Sequence, residues 1–116
     1  MATMNLCGPY RLTYEQVNSV VRPGTPGVFA LGYGQGRDVF YVNYIGRSDN
    51  DVRTRLLDFI GSDSLFKFRE IGSAKDAFLR ECELFHAFSP PGNRLHPSRP
   101  ALSGWRCPHC LALGHR

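Results

Sequence analysis

The passage from Val39 to Ile60 constrains this chain more than any other, because the hydrophobic period changes inside it. Val39-Phe-Tyr-Val-Asn-Tyr-Ile45 is rich in β-branched and aromatic residues and predicts a strand. The strand is expected to break at Gly46. Val52, Leu56, Leu57 and Ile60 then recur at helical spacing, which predicts a helix from Asp51 to Ile60. Ser48 and Asp49 are the expected N-caps, and Asp51 lies where the helix dipole favours an anion. Strand, turn and helix thus bring a phenol, Tyr44, toward a guanidinium, Arg53 or Arg55. Positions two apart on a helix cannot face one volume, so only one of the two arginines joins Tyr44. A phenol beside a fork of N–H donors suits phosphate oxygens. The same residues also read as the end of a core strand and a solvated helix face.

The flanking segments supply the rest of a small fold. Leu12 to Val21 predicts a short helix capped by Thr13, with Leu12, Val17, Val20 and Val21 as its apolar stripe; Arg22-Pro-Gly-Thr-Pro-Gly27 stops it. Residues 27–32 predict a strand joined to the strand at 39–45 by the glycine-rich loop 33–38, a hairpin rather than a phosphate loop because no helix follows. Residues 65–71 predict a third strand with Phe66 and Phe68 on one face. Ser73 caps a helix from Ala74 to Phe88. On that helix Ala74, Ala77, Phe78, Leu84, Phe85 and Phe88 fill one arc, with Glu81 in its middle. A carboxylate centred on an apolar stripe is costly to desolvate unless a cation meets it. Glu81 is therefore the residue in this chain whose position calls for chemistry.

A chain of 116 residues supports one hydrophobic core, read here as a single domain with a body at 10–95 and a tail at 96–116. No apolar run reaches the roughly 20 residues of a membrane span, and the first residues lack the basic-then-apolar order of an export signal, so no membrane association and a cytoplasmic location are expected. The net charge of +4 suits an anionic partner. Only Lys67 and Lys75 among the 14 basic residues are lysines, a bias that fits phosphate contact and equally fits genome base composition. Residues Met1 to Pro9 carry little signal, and Cys7 is expected to be a buried or idle thiol.

Taken together, Gly27-Val-Phe29, Tyr44-Ile-Gly46, Arg55, Glu81 and Pro90-Pro-Gly-Asn93 resemble the GIY-YIG nuclease family, over roughly residues 26–95. The resemblance lies in the order: hairpin, Tyr-Ile-Gly-Arg-Ser, helix with Arg, strand, helix with Glu, late Asn. It implies an α+β fold in which a small three-stranded antiparallel sheet is flanked by helices, and an activity, metal-dependent hydrolysis of DNA phosphodiesters. It further implies that Tyr44 orients or deprotonates the attacking water and that Arg55 steadies the scissile phosphate. Glu81 would bind a single Mg²⁺ or Mn²⁺ ion, and Asn93 would buttress the site. Arg47 and Arg53 are further candidates for phosphate contact. DNA is the implied partner, with a protein partner for targeting a further expectation.

Two departures from the family pattern bear on turnover. Phe29 stands where the pattern has tyrosine, and phenylalanine can neither hydrogen-bond water nor pass a proton; Tyr33 and Tyr41 are the nearby phenols. The loop between the motifs and the spacing from Gly46 to Arg55 are also slightly long. A non-catalytic nucleic-acid-binding or adaptor module on the same fold is the alternative these departures favour.

Of the four cysteines, Cys107-Pro-His-Cys110 has the spacing of half a zinc site. Cys82 and His86, four apart on the Glu81 helix, complete a candidate tetrahedral set of Cys82, His86, Cys107 and Cys110. With no open position such a site is structural, and it would tether the C-terminal tail. His96, His109 and His115 are rival ligands.

Overall fold

Residues 27–32 are apolar on both sides of their pleat, so a strand there needs cover on both faces, and the whole architecture supplies it. The computed structural model describes residues 5–34, 39–93 and 105–107. Four antiparallel strands, β1 (Cys7–Arg11), β2 (Gly27–Tyr33), β3 (Tyr41–Ser48) and β4 (Leu65–Glu70), form one sheet in the order β1-β4-β2-β3. Helices α1 (Tyr14–Val20) and α2 (Val52–Leu57) cover one face, and α3 (Ala74–Phe88) covers the other.

Alternation along β2 sorts the core. Phe29 and Leu31 point to the α1/α2 side and pack with Val17, Val52, Leu56, Phe66 and Phe68. Val28 and Ala30 point to the α3 side and pack with Ile45, Ala77 and Leu84. Phe66 and Phe68 thus share a face, as their spacing predicts.

The sheet has one strand more than expected. Gly8-Pro9 interrupts any alternation in Cys7–Arg11, so local sequence gives no strand signal there. The strand exists because β4 offers it an edge: Cys7 pairs with Phe68, Tyr10 with Phe66 and Arg11 with Leu65, with the register shifting between Cys7 and Tyr10. Tertiary pairing outweighs propensity. Tyr10 then lies 5.6 Å from the Phe66 ring, and Cys7 is exposed rather than buried.

A second correction concerns Gly46, where the strand was expected to stop. β3 instead continues through it to Ser48. Gly46 sits opposite Phe29, whose ring fills the space of the missing side chain; a Cβ at Gly46 would fall 2.5 Å from Phe29 Cζ. With the strand extended, the cap moves as well. Asp51, rather than Ser48 or Asp49, is the N-cap of α2, its carboxylate accepting from the Thr54 N–H at 3.2 Å and from Thr54 Oγ1 at 2.9 Å. Ser48 Oγ accepts from the Asp51 N–H at 2.9 Å and so shapes the turn before the cap. The helix ends at Leu57, short of Ile60, and the turn beyond it passes through Gly61 at φ +99°.

The caps at Thr13 and Ser73 are as the sequence predicts: each hydroxyl accepts an N–H three residues on, from Gln16 and Asp76. Among the described residues no helix is long and apolar enough to cross a membrane. The proline-dense segment from 94 to 104, and Cys110 with the residues around it, lie outside the described residues.

Candidate active site

Strand β3, at one edge of the sheet, carries Tyr44 and Arg47, and its side chains alternate. Ile45 and Arg47 face α3; Tyr44 and Gly46 face α1 and α2. A phenol and a guanidinium three positions apart in sequence therefore lie on opposite sides of the sheet.

On the α3 side, Glu81 and Arg47 meet. Arg47 Nη1 donates to Glu81 Oε1 at 2.6 Å, and its Nε donates to Asp49 Oδ1 at 2.9 Å. The guanidinium also lies 5.1 Å from the centre of the Phe78 ring. The side chains of Arg47 and Glu81 are 10% and 8% exposed, so this ion pair is nearly dry. Burial pushes the Glu81 carboxyl above the ordinary carboxylate range; the hydrogen bond and charge of Arg47 and the charge of Arg55 pull it back only in part. For Arg47, burial acts to depress the guanidinium, but the bonds to Asp49 and Glu81 outweigh it and hold the charge firmly in place.

On the opposite side, Tyr44 belongs to an aromatic group. Its ring lies 5.1 Å from Phe59 and 6.3 Å from Phe29. The Arg55 guanidinium stacks over the other partner of that group, 5.0 Å from the Phe59 centroid, and is 3.8 Å from Asp58. Its side chain remains 47% exposed. Tyr44 and Arg55 are thus brought to one aromatic residue, and Arg55 is near enough to Glu81 for its charge to act there. Arg53 is turned elsewhere: its Nε donates to Asn18 Oδ1 at 2.9 Å and its Nη2 to the Asn18 carbonyl at 3.0 Å, fastening α2 to α1.

Asn93 closes the outer edge of β3. Its Oδ1 accepts the Ile45 N–H at 2.7 Å and its Nδ2 donates to the Ile45 carbonyl at 2.9 Å, so one side-chain amide imitates a neighbouring strand. Gly92 adds a bond from its N–H to the Asn43 carbonyl at 2.6 Å, an approach that a Cβ would obstruct at 2.5 Å. An otherwise open strand edge is thereby covered beside Tyr44-Ile-Gly46.

Phe29 occupies the position of the first motif aromatic, fully buried at 0% exposure against Gly46 and Tyr44. Tyr33 and Tyr41, the other nearby phenols, pair with each other at 5.3 Å at the far end of the same two strands, away from Gly46.

Of the candidate zinc ligands, Cys82 and Cys107 are buried in one cluster with Phe78, against which Leu79 and Trp105 pack. The His86 ring stands edge-on to Phe85 at 5.3 Å. Among the described residues no three side chains of the metal-binding types gather, and Cys110, His96, His109 and His115 lie outside those residues.

Two members of the site escape a sequence reading. Asp49 reads as a helix cap, yet it partners Arg47; the i,i+2 spacing along an extended chain, which sets both on one side, was the available signal. Phe59 links Tyr44 to Arg55 from the turn after α2, and nothing in the local pattern marks it. Comparison with protein-family models, with curated proteins and with solved structures returns no match.

Proposed function

We propose that this chain is a divalent-metal-dependent endonuclease acting on DNA phosphodiesters, of the kind the GIY-YIG resemblance implies. The observation that carries the reading is Glu81, a buried carboxylate on the apolar side of α3, bonded to Arg47 and within the field of Arg55. A fold has no need of a charge there, since apolar residues of similar volume serve a core as well or better.

The residues suit a hard cation: Glu81 offers carboxylate oxygen in a site with a second carboxylate, Asp49, on the same guanidinium. A bound Mg²⁺ or Mn²⁺ ion supplies Lewis-acid polarisation of the phosphate and stabilises the leaving oxygen. The chain's own groups do the remainder. Arg55, half exposed on its Phe59 platform, meets the phosphate oxygens as negative charge gathers on them. Tyr44 presents a phenol to the attacking water, and Asn93 holds the Ile45 backbone so that Tyr44 and the strand through Gly46 keep their places. Zinc is proposed as a structural ion of the C-terminal Cys107-Pro-His-Cys110 segment, supported by the burial of Cys107 beside Cys82. Metal analysis of the purified protein and of Cys82→Ser tests it; no zinc in either defeats it.

The main test is nicking of supercoiled and branched DNA with and without Mg²⁺ or Mn²⁺. Cleavage should require the ion and fall by about 100-fold or more in Glu81→Ala and in Arg55→Ala.

Phe29 favours a second reading, a non-catalytic DNA-binding or adaptor module, because an apolar ring seals the place of a motif tyrosine. On that reading no substrate is cut, and Glu81→Ala binds DNA as tightly as the unaltered protein, with no dependence on divalent ions.

A further inference from the structure

Glu81 is engaged by a cation that belongs to the protein itself. The Arg47 guanidinium holds Oε1 at 2.6 Å, and both side chains are nine-tenths or more buried. An ion on the same carboxylate needs an oxygen at about 2.0–2.1 Å with its other ligands in near-octahedral array. A guanidinium bonded to that carboxylate takes up one of its oxygens. It also adds a unit positive charge within a few ångström of a double one, which repels strongly in so dry a site.

Arg47 has somewhere else to be held. Its Nε is tied to Asp49 Oδ1 at 2.9 Å, through a different nitrogen from the one that meets Glu81, and the guanidinium lies 5.1 Å from the centre of the Phe78 ring. Asp49 is 33% exposed and sits in the turn between β3 and α2. Releasing Nη1 from Glu81 while keeping the Asp49 bond would leave the guanidinium paired on the more exposed of its two carboxylates.

We infer that Arg47 and the divalent ion exchange on Glu81: the ion displaces the guanidinium, which stays anchored on Asp49 and becomes available to a phosphate. The inference rests on the nuclease reading of Glu81 and assigns Arg47 as a positioning residue that sets ion affinity. It separates Arg47 from Arg55 by role, since the Arg55 side chain is already 47% exposed.

The test is a titration read without catalysis. The Arg47 Nε resonance of the ¹⁵N-labelled protein is followed as Mg²⁺ is added, and Mn²⁺ affinity is measured by calorimetry at pH 8 for the unaltered protein, Arg47→Lys and Arg47→Met, with Glu81→Gln as the control. Saturating Mg²⁺ should shift the Arg47 signal. Mn²⁺ should bind Arg47→Met about tenfold more tightly, at the lower end of what neighbouring groups do to a metal site, with Arg47→Lys between. An Arg47 signal indifferent to saturating Mg²⁺, or Mn²⁺ affinity unchanged or weaker in Arg47→Met, overturns the exchange while leaving the nuclease reading standing. Absence of ion binding in every protein, the unaltered one included, defeats both. The resonance titration needs no substitution, so it decides the matter even where Arg47→Met does not fold.

Discussion

The two faces of β3 are built to different specifications. Toward α1 and α2, Tyr44 meets the rings of Phe29 and Phe59, and Gly46 lies against the Phe29 ring. Toward α3, one pleat away, Ile45 packs with Val28, Ala30 and Leu84 while Arg47 forms a dry ion pair with Glu81. The first face has the composition that maximises stability. The second includes a pair whose desolvation cost rivals its attraction. The difference places the buried charges beside β3 on the α3 side, while the α1/α2 side holds β3 by aromatic packing that includes Tyr44 itself.

The sharpest way to break the comparison is to damage that aromatic packing. Phe29→Ala removes a fully buried ring from beside Gly46, Tyr44 and Phe59, and should cost about 3–5 kcal/mol of unfolding free energy, measured by urea titration. A loss well under 2 kcal/mol would show that neighbouring aromatics close the gap and that the packing is soft.

On the α3 side the expected pattern is different in kind. Arg47→Met alone leaves Glu81 buried without its partner and should cost about 3 kcal/mol. Combining it with Glu81→Leu should restore most of that loss, because a well-packed apolar pair serves the core as well as the ion pair. Urea titrations of the two single variants and the double variant measure the coupling. If the double variant is no more stable than Arg47→Met, the pair is structural, and the contrast between the faces disappears.

Much of this architecture is legible in the sequence. The apolar run at β2, the alternation at β4, the caps at Thr13 and Ser73 and the whole of α3 follow from local pattern, and so does the burial of Glu81, since its place on the helical arc fixes the direction it faces. What stayed hidden depends on partners distant in sequence. β1 exists because β4 has an open edge. Gly46 continues a strand because Phe29 lies across it. Arg53 and Arg55 look equivalent in sequence, and only the position of α1 shows that Arg53 is occupied by Asn18. Arg47 was legible as a cation beside a phosphate site, but not as the partner of Glu81, because α3 lies 34 residues further along the chain.

The smallest effect sharpens the same contrast through pH, because the molecule holds two carboxylates shifted in opposite directions. At Asp51, burial acts to raise the carboxyl, but the bonds it accepts from the Thr54 backbone and hydroxyl outweigh this and hold it below its ordinary range. A depressed carboxyl contributes stability above its unfolded pKa, near 3.9, and that contribution is lost as pH falls through the folded value. Glu81 is raised, chiefly by burial, so its contribution runs the other way: it is present below the unfolded pKa, near 4.3, and lost as pH rises through the folded value. Asp51→Ala should therefore cost about 1 kcal/mol at pH 7, the usual worth of an N-cap. That difference from the unaltered protein should narrow in acid. Asp51→Asn, which can cap without charge, should lose much less at neutral pH. The Arg47→Met, Glu81→Leu double variant should instead gain on the unaltered protein as pH rises. Urea titrations from pH 3 to pH 8 distinguish the two slopes. Parallel slopes would mean that Glu81, like Asp51, is stabilised as a charge by the fold, and would remove the physical reason for assigning it chemistry.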